Sequence, residues 1–156
     1  MVLLYEDEKV MGFHVSQEEM KERICSELVR RVRDGGEICS MLRLEYVSSD
    51  VEKAELTLKH IVQQSAANPS GKLHGGIITW LMDSTMGMLS RGYTGIGSSV
   101  TADIHVNFLK GIDVGDELFI KARITHAGRT IINICSEATV NGKLCATADA
   151  IFYKIS

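Results

Sequence analysis

The run HGGIITWLMDSTMGMLSR, residues 74–91, decides how this chain folds. Ile77, Ile78, Trp80, Leu81, Met82, Met86, Met88 and Leu89 spread over most of a helical circumference. A helix that is apolar on nearly every side is buried on nearly every side. The pattern predicts a central helix from Gly75 or Gly76 to Arg91, stopped by Gly92. One stripe breaks the apolar rule, because Gly76, Thr79, Asp83, Gly87 and Ser90 share a face. Small residues around a single carboxylate point to close approach by another backbone or by a ligand. Asp83 has no Lys or Arg one turn away; those positions hold Thr79, Trp80, Met86 and Gly87. A half-buried carboxylate without a local cation is costly and needs partners from elsewhere. From these residues alone, Asp83 reads equally as a structural hydrogen-bonding group and as a catalytic carboxylate.

His74-Gly75-Gly76 supplies the complementary half of a mechanism. Backbone N–H groups in the first helical turn lack intrahelical acceptors and lie at the positive end of the helix dipole. Glycine lets a ligand approach that backbone closely, so the helix start suits a phosphate or a developing alkoxide. A glycine pair also makes an ordinary tight turn, so the tripeptide decides nothing on its own.

Working outward, Ser16-Gln17-Glu18-Glu19 forms a capping box ahead of Met20, Ile24, Leu28 and Val32. This predicts an amphipathic helix over 16–34, ending near Gly35-Gly36. Two strands are expected at Met41–Ser48 and Ala54–Ile61, joined by a turn at Ser49–Lys53; Ala54, Leu56 and Leu58 alternate with Glu55, Thr57 and Lys59. Gln63–Lys72, with the sole proline Pro69, reads as a loop. After the central helix come strands at Ser98–Leu109 and Leu118–His126, then a hairpin of Thr130–Val140 and Lys143–Ile155 about Asn141-Gly142. In Ser98–Leu109, alternation puts Val100, Ala102, Ile104, Val106 and Phe108 in the core and Thr101, Asp103, His105 and Asn107 on a polar outer face. One long helix among mostly antiparallel strands makes the class α+β.

A chain of 156 residues suits one domain, with residues 1–39 as an N-terminal extension and 40–156 as the core. Apolar residues make up 45% and charged residues 24%, which is a globular composition. The net charge of −3, with no long basic block, argues against nucleic acid or an anionic membrane as the main partner. The start, MVLLYEDEKVMGF, has acids after a four-residue apolar patch rather than a basic start before a longer one, so no signal peptide is expected. No transmembrane helix is expected either. Cys25, Cys39, Cys135 and Cys145 show no C-x-x-C spacing. With Asn141-Gly142 as the loop, Cys135 faces Ala148 and Cys145 faces Ala138, so the thiols miss each other. The expectation is reduced, structural cysteines in a cytoplasmic protein.

The stretch NPSGKLHGGIITWLMDSTMGMLS, with its Asn, H-G-G and helical Asp, resembles the hotdog-fold thioesterases of the phenylacetic-acid-degradation (PaaI-like) group. The following SSVTADIHVNFLKGIDVGDELFIKARITHAGRT resembles the group's next strands, including a G-D-x-L turn and a Gly-Arg-Thr before the last hairpin. The resemblance covers about residues 40–155. It implies a hotdog fold, a curved antiparallel sheet wrapped around one long central helix, here with an N-terminal helical extension. It further implies a homodimer, paired again into a tetramer, that hydrolyses acyl-CoA at sites on the dimer interface. In that arrangement Gly75 N–H, helped by Asn68 and His74, polarises the thioester carbonyl. Asp83 of the opposing subunit activates water or attacks directly, and Thr101 orients the water. No cofactor is implied, since the CoA moiety belongs to the substrate.

The chemistry suits so few groups. A thiolate leaves without a dedicated acid, its conjugate thiol having a pKa of about 8.5. An oxyanion site and an activated water or nucleophile then suffice. The sequence has no G-x-S-x-G elbow and no H-E-x-x-H metal signature. Gly76 joins the substrate-binding helix start, and Arg129 and Lys110 are candidates for CoA phosphates, although exposed turn cations are common. His14, His60, His105 and His126 read as surface or structural residues, and Asp103-Ile104-His105 is too short a cluster for metal. Gly95-Ile96-Gly97 follows a helix rather than a strand and is not read as a dinucleotide fingerprint. Met82, Met86 and Met88 are most simply core. Two other classes stay open: a hotdog dehydratase, whose Pro-Gly-rich site loop is missing here, and an acyl-CoA or acyl-ACP binding or sensing module without turnover.

Overall fold

The computed structural model describes residues 14–95, 97 and 99–155. The expectations about the first thirteen residues, Ile96 and the Ser98 strand start lie outside them. In chain order the elements are α1 (Gln17–Asp34), α2 (Gly36–Met41), β1 (Glu45–Asp50), β2 (Glu55–Ile61), α3 (Gly75–Thr94), β3 (Ser99–Phe108), β4 (Glu117–Ala127), β5 (Ile131–Val140) and β6 (Lys143–Lys154), with a short 3-10 turn at Gln64–Ala66. The six strands form one antiparallel sheet in the order β1-β2-β4-β5-β6-β3. Around α3 it makes the hotdog arrangement that the sequence pattern implies.

Burial of α3 follows its composition. Leu81, Met82, Met86, Met88 and Leu89 are sealed in the core between helix and sheet, with Leu56, Leu58, Leu118, Ile120, Ile132 and Phe152 opposite them. The helix does not stop at Gly92 as expected; it runs to Thr94 and ends on Gly95 in the left-handed conformation, φ 68°. Gly92 is kept by packing, since a Cβ there would stand 2.7 Å from Ile24 Cγ1 of α1. Glycine at this position is a close helix–helix approach rather than a stop.

α1 starts on the expected capping box, with Ser16 Oγ accepting from Glu19 N and Glu19 Oε2 accepting from Ser16 N. Buried Met20 and Ile24 hold it to α3. Glu27, only 15% exposed, accepts from Arg30, Arg31 and, across to α3, Arg91. Burial pushes the Glu27 carboxyl up, but the three guanidinium groups together outweigh it and hold the group below the usual glutamate value. A depressed carboxyl stabilises the fold above its unfolded pKa and loses that contribution as pH falls through the folded one. Glu27→Gln should therefore lower stability at neutral pH by about 2 kcal/mol, since it strips the half-buried Arg91 of its counter-charge. The difference from wild type should shrink below about pH 4 in thermal melts.

The first strand differs from expectation. Met41 ends α2, which the sequence did not announce, and β1 begins at Glu45. Ala54 falls in the turn, buried at φ 50°, so β2 begins at Glu55; Leu56 and Leu58 then point inward as predicted. The β5–β6 turn has φ 50° at Asn141 and φ 73° at Gly142, the mirror-image turn that twists with its strands. Beyond it the register slips by one residue, because Thr139 pairs Leu144 but Ala138 pairs Ala146. Cys145 is thus the extra residue of a bulge, and Cys135 faces Asp149 rather than Ala148. All four cysteines are free thiols.

The two edges of the sheet are unlike. β1 is covered by α1, whose Gln17 amide donates to Ser49 O (2.8 Å) and accepts from Val51 N (2.9 Å), as a neighbouring strand would. β3 pairs only with β6, and its other side is bare among the described residues. None of the described helices is long and apolar enough to cross a membrane.

Candidate active site

Two groups of polar atoms stand on α3, one at its start and one near its middle. At its start, His74 is the N-cap: its Nδ1 accepts from Gly76 N at 3.1 Å, while its carbonyl accepts from Ile77 and Ile78 N. Gly76 N–H is therefore already used, and the proton of a neutral His74 ring sits on Nε2. Gly75 N–H has no acceptor among the described residues, which makes it the open donor at the positive end of the helix. Asn68 lies beside it. Its Oδ1 accepts from Ser70 N (2.9 Å) and Lys72 N (3.1 Å), which turns the side-chain NH₂ away from the loop.

Asn68 and Gly75 line a cleft of about 360 Å³ together with Ile78, Phe108, Leu109, Lys110 and Cys145. The Phe108 ring rests on the helix start, its Cζ 3.4 Å from where a Gly75 Cβ would be. Phe108 is 59% and Leu109 58% exposed. The Cys145 carbonyl, turned by the β6 bulge, accepts from both Leu109 N (2.8 Å) and Lys110 N (3.0 Å) and fixes the cleft floor. Lys110 has no ionic partner among the described residues, whereas Lys72 is paired with Asp113.

Asp83 sits two turns further along α3, half-buried, about 12 Å from Gly75 at 1.5 Å per residue. It has no ionic partner among the described residues. Thr101 Oγ1 donates to Asp83 Oδ1 at 2.7 Å. Strand alternation put Thr101 on the outer face, and the structure corrects this. A bulge at Ala102 breaks the period, since Thr101 pairs Phe152 while Asp103 pairs Ile151. Thr101 shares the inward face of Phe152 and so reaches Asp83, while Asp103, His105 and Asn107 remain outside. Bulges re-aim side chains in this way beside functional groups. The same slip overturns the core reading of Val100 and Ala102, which are exposed; Phe108 keeps the face of Ile104 and Val106 but, at the strand end, lies over the cleft instead of in the core. Ile104 and Val106 do pack against the core.

The rest of the stripe around Asp83 has a local purpose. Gly87 makes room for Phe152, and Ser90 Oγ hydrogen-bonds Ser99 Oγ, so its upper half meets this chain's own sheet. Arg129 lies in the β4–β5 turn, at the Thr101 end of the sheet, while Lys110 follows β3 at the Gly75 end. One chain does not bring the two cations together. His60 is buried, with Nδ1 against Arg43 O at 2.8 Å, whereas His14, His105 and His126 are exposed. Among the described residues no three His, Cys, Asp or Glu side chains are grouped to hold a metal. Sequence reasoning missed Lys72, Phe108, Leu109 and Cys145 as cleft residues. Phe108-Leu109 closing a strand of polar alternation was the available signal, and nothing in the sequence marked Cys145.

Known proteins share this fold. Residues 70–146 match the thioesterase superfamily. Mouse acyl-coenzyme A thioesterase 13 is 31% identical over 110 residues, 67% of this chain and 74% of that protein. The human protein of that name is 31% identical over 93 residues, 54% of this chain and 62% of that one. A phenylacetic-acid-degradation-related protein of Ralstonia eutropha superimposes with a TM-score of 0.71 at 25% identity, over 81% of this chain and 98% of that one. A Streptococcus mutans protein bound to acetyl-CoA does so with a TM-score of 0.67 at 27% identity, over 72% and 89%. The PaaI protein of Escherichia coli, 17% identical with a TM-score of 0.77, shares the fold over 90% of this chain and 96% of its own. The chain belongs to the thioesterase superfamily, and its class of chemistry is thioester hydrolysis.

Proposed function

We propose that this protein hydrolyses acyl-CoA thioesters at a site built by two copies of the chain. One observation carries the reading: the open Gly75 N–H and the Asp83 carboxylate are about 12 Å apart on one helix, too far to act on one carbonyl. The bare edge of β3 offers the remedy. Thr101 and Asp83 lie at the start of β3 and Phe108 and Gly75 at its end. Antiparallel pairing of two β3 strands sets the start of one against the end of the other. Asp83 and Thr101 of one copy then face Gly75 and Asn68 of its partner. Arg129 and Lys110, separated in one chain, converge on the same site.

In that site Gly75 N–H and the Asn68 amide hold the thioester oxygen, and His74 fixes the helix start that presents the donor. Asp83, steadied by Thr101, removes a proton from the attacking water or attacks the carbonyl itself. The tetrahedral oxyanion collapses to expel the CoA thiolate; attack by water leaves the free acid at once, whereas attack by Asp83 leaves an acyl–Asp83 anhydride that water then cleaves to the free acid and the regenerated carboxylate. Lys110 and Arg129 meet the CoA phosphates. The acetyl-CoA in the Streptococcus mutans relative and the activity named for the mouse relative support CoA as the carrier. No cofactor enters this scheme. Further pairing of dimers into a tetramer and a cytoplasmic location fit the same reading.

Mixing the purified protein with acyl-CoA esters of graded chain length and an aryl-acyl CoA, with a thiol-reactive dye, tests it directly. Free thiol should appear in step with free acid for at least one ester. Lys110→Ala should raise KM several-fold while leaving kcat near wild type, as expected when one phosphate contact is lost. Tight binding of the esters with no thiol release would leave a sensing module in place of an enzyme.

A further inference from the structure

We propose that Asp113 is a positioning residue for thioester hydrolysis, holding the Asn68 side-chain amide toward the carbonyl through Lys72. The proposal rests on the reading of Asn68 as a donor to that carbonyl. Three features place Asp113 in this role.

The Asn68 amide is oriented by its acceptor end. Ser70 N and Lys72 N occupy both lone pairs of Oδ1, and Asn68 N in turn donates to Lys72 O at 2.6 Å. No described residue accepts from Nδ2, so nothing but the position of Lys72 and Ser70 decides where the NH₂ points. An amide that could rotate freely would spend part of its time presenting oxygen, a repulsive partner, to the developing oxyanion.

Lys72 is itself tethered. Its Nζ donates to Asp113 Oδ1, and the two residues also form an antiparallel backbone bridge, continued by Leu73 N donating to Ile112 O at 2.8 Å. The Lys72 stem lies across Gly111, with Cδ 3.3 Å from where a Gly111 Cβ would be. Glycine there clears a track along which the lysine crosses to the carboxylate.

Asp113 is anchored in turn. Asp113 N donates to Asp116 Oδ2 at 2.8 Å, and Asp116 N to Asp113 O at 3.2 Å, which closes the Asp113–Asp116 turn on itself. Gly115 N and Asp116 O pair with Val62 O and N, fastening that turn to the end of β2. The Gly115-Asp116 motif, uninformative as a lone sequence signal, becomes the foundation of a relay: rigid turn, Asp113, Lys72, Asn68, cleft.

The ion pair is partly exposed, with Lys72 44% and Asp113 61% open to solvent, so its removal should leave folding intact and act on geometry. Steady-state kinetics on an acyl-CoA that wild type hydrolyses, with melting curves for each variant, provide the test. Asp113→Asn and Lys72→Met should each lower kcat about five-fold with KM nearly unchanged and the melting midpoint kept within a few degrees. Asp113→Glu should restore most of the loss. In an Asn68→Ala background, Asp113→Asn should have no further effect on kcat, because the group it positions is gone. A wild-type kcat in Asp113→Asn beside a clearly impaired Asn68→Ala overturns the inference while sparing the role of Asn68. So does a further fall of the same size in the double variant. A wild-type kcat in Asn68→Ala removes the donor role itself and the inference with it.

Discussion

Gly75→Pro should cost about 10²–10³-fold in turnover of acyl-CoA without unfolding the protein. The first helical position is where proline fits best, because its missing N–H has no intrahelical acceptor to lose. His74, at φ −64° and ψ 134°, already has the extended backbone that a residue before proline adopts. The substitution takes away one hydrogen-bond donor and puts a ring carbon where the thioester oxygen is proposed to sit. Gly75→Ala is the matched control. It keeps the N–H, and its Cβ meets Phe108 Cζ at 3.4 Å, an ordinary contact. The alanine variant should stay within several-fold of wild type, and both should melt near the wild-type temperature. A proline variant that turns over within ten-fold of wild type would remove the helix start from the mechanism.

Asp83→Asn should be comparably severe, about 10²–10⁴-fold, since an amide keeps the shape but cannot take a proton. The Thr101 hydroxyl can still donate to the remaining oxygen, so the fold has no reason to change. The more telling result comes from mixing defects. In the proposed dimer, co-expressed Asp83→Asn and Asn68→Ala chains give mixed pairs in which one site receives Asn68 from the first chain and Asp83 from the second. That site is intact and its twin carries both defects, so random pairing should return about a quarter of wild-type activity. If both residues served a site within one chain, every site would carry one lesion and mixing would restore nothing.

The fold was legible wherever burial imposed a period. The apolar circumference of residues 77–89 announced a central helix, and the alternation of Leu56 and Leu58 a half-buried strand, because one face of each had no alternative to the core. Asn141-Gly142 identified its hairpin because few residues accept two successive positive φ angles. The places where reading failed share a cause: a residue inserted into a regular element leaves the composition unchanged. Ala102 and Cys145 each add one residue to a strand. The first turned Thr101 inward and Val100 outward, and the second moved Cys135 opposite Asp149. Gly92 misled for a different reason, since a glycine that makes room for Ile24 looks in sequence like one that ends a helix. The polar members of the site were visible as chemistry, Asn68, Gly75 and Asp83 above all. The apolar ones were not, because Phe108 and Leu109 gain their meaning from a strand end lying over a helix start that comes more than thirty residues earlier.

The Gln17 side chain has a consequence for how large an assembly can grow. A sheet with two free margins is a template for endless addition, and long unprotected strands invite fibrils. Here α1 occupies one margin with a glutamine amide that imitates a backbone partner. In the proposed pairing along β3, the end of β1 at each outer margin is met by this glutamine, which opposes strand-by-strand growth beyond two copies.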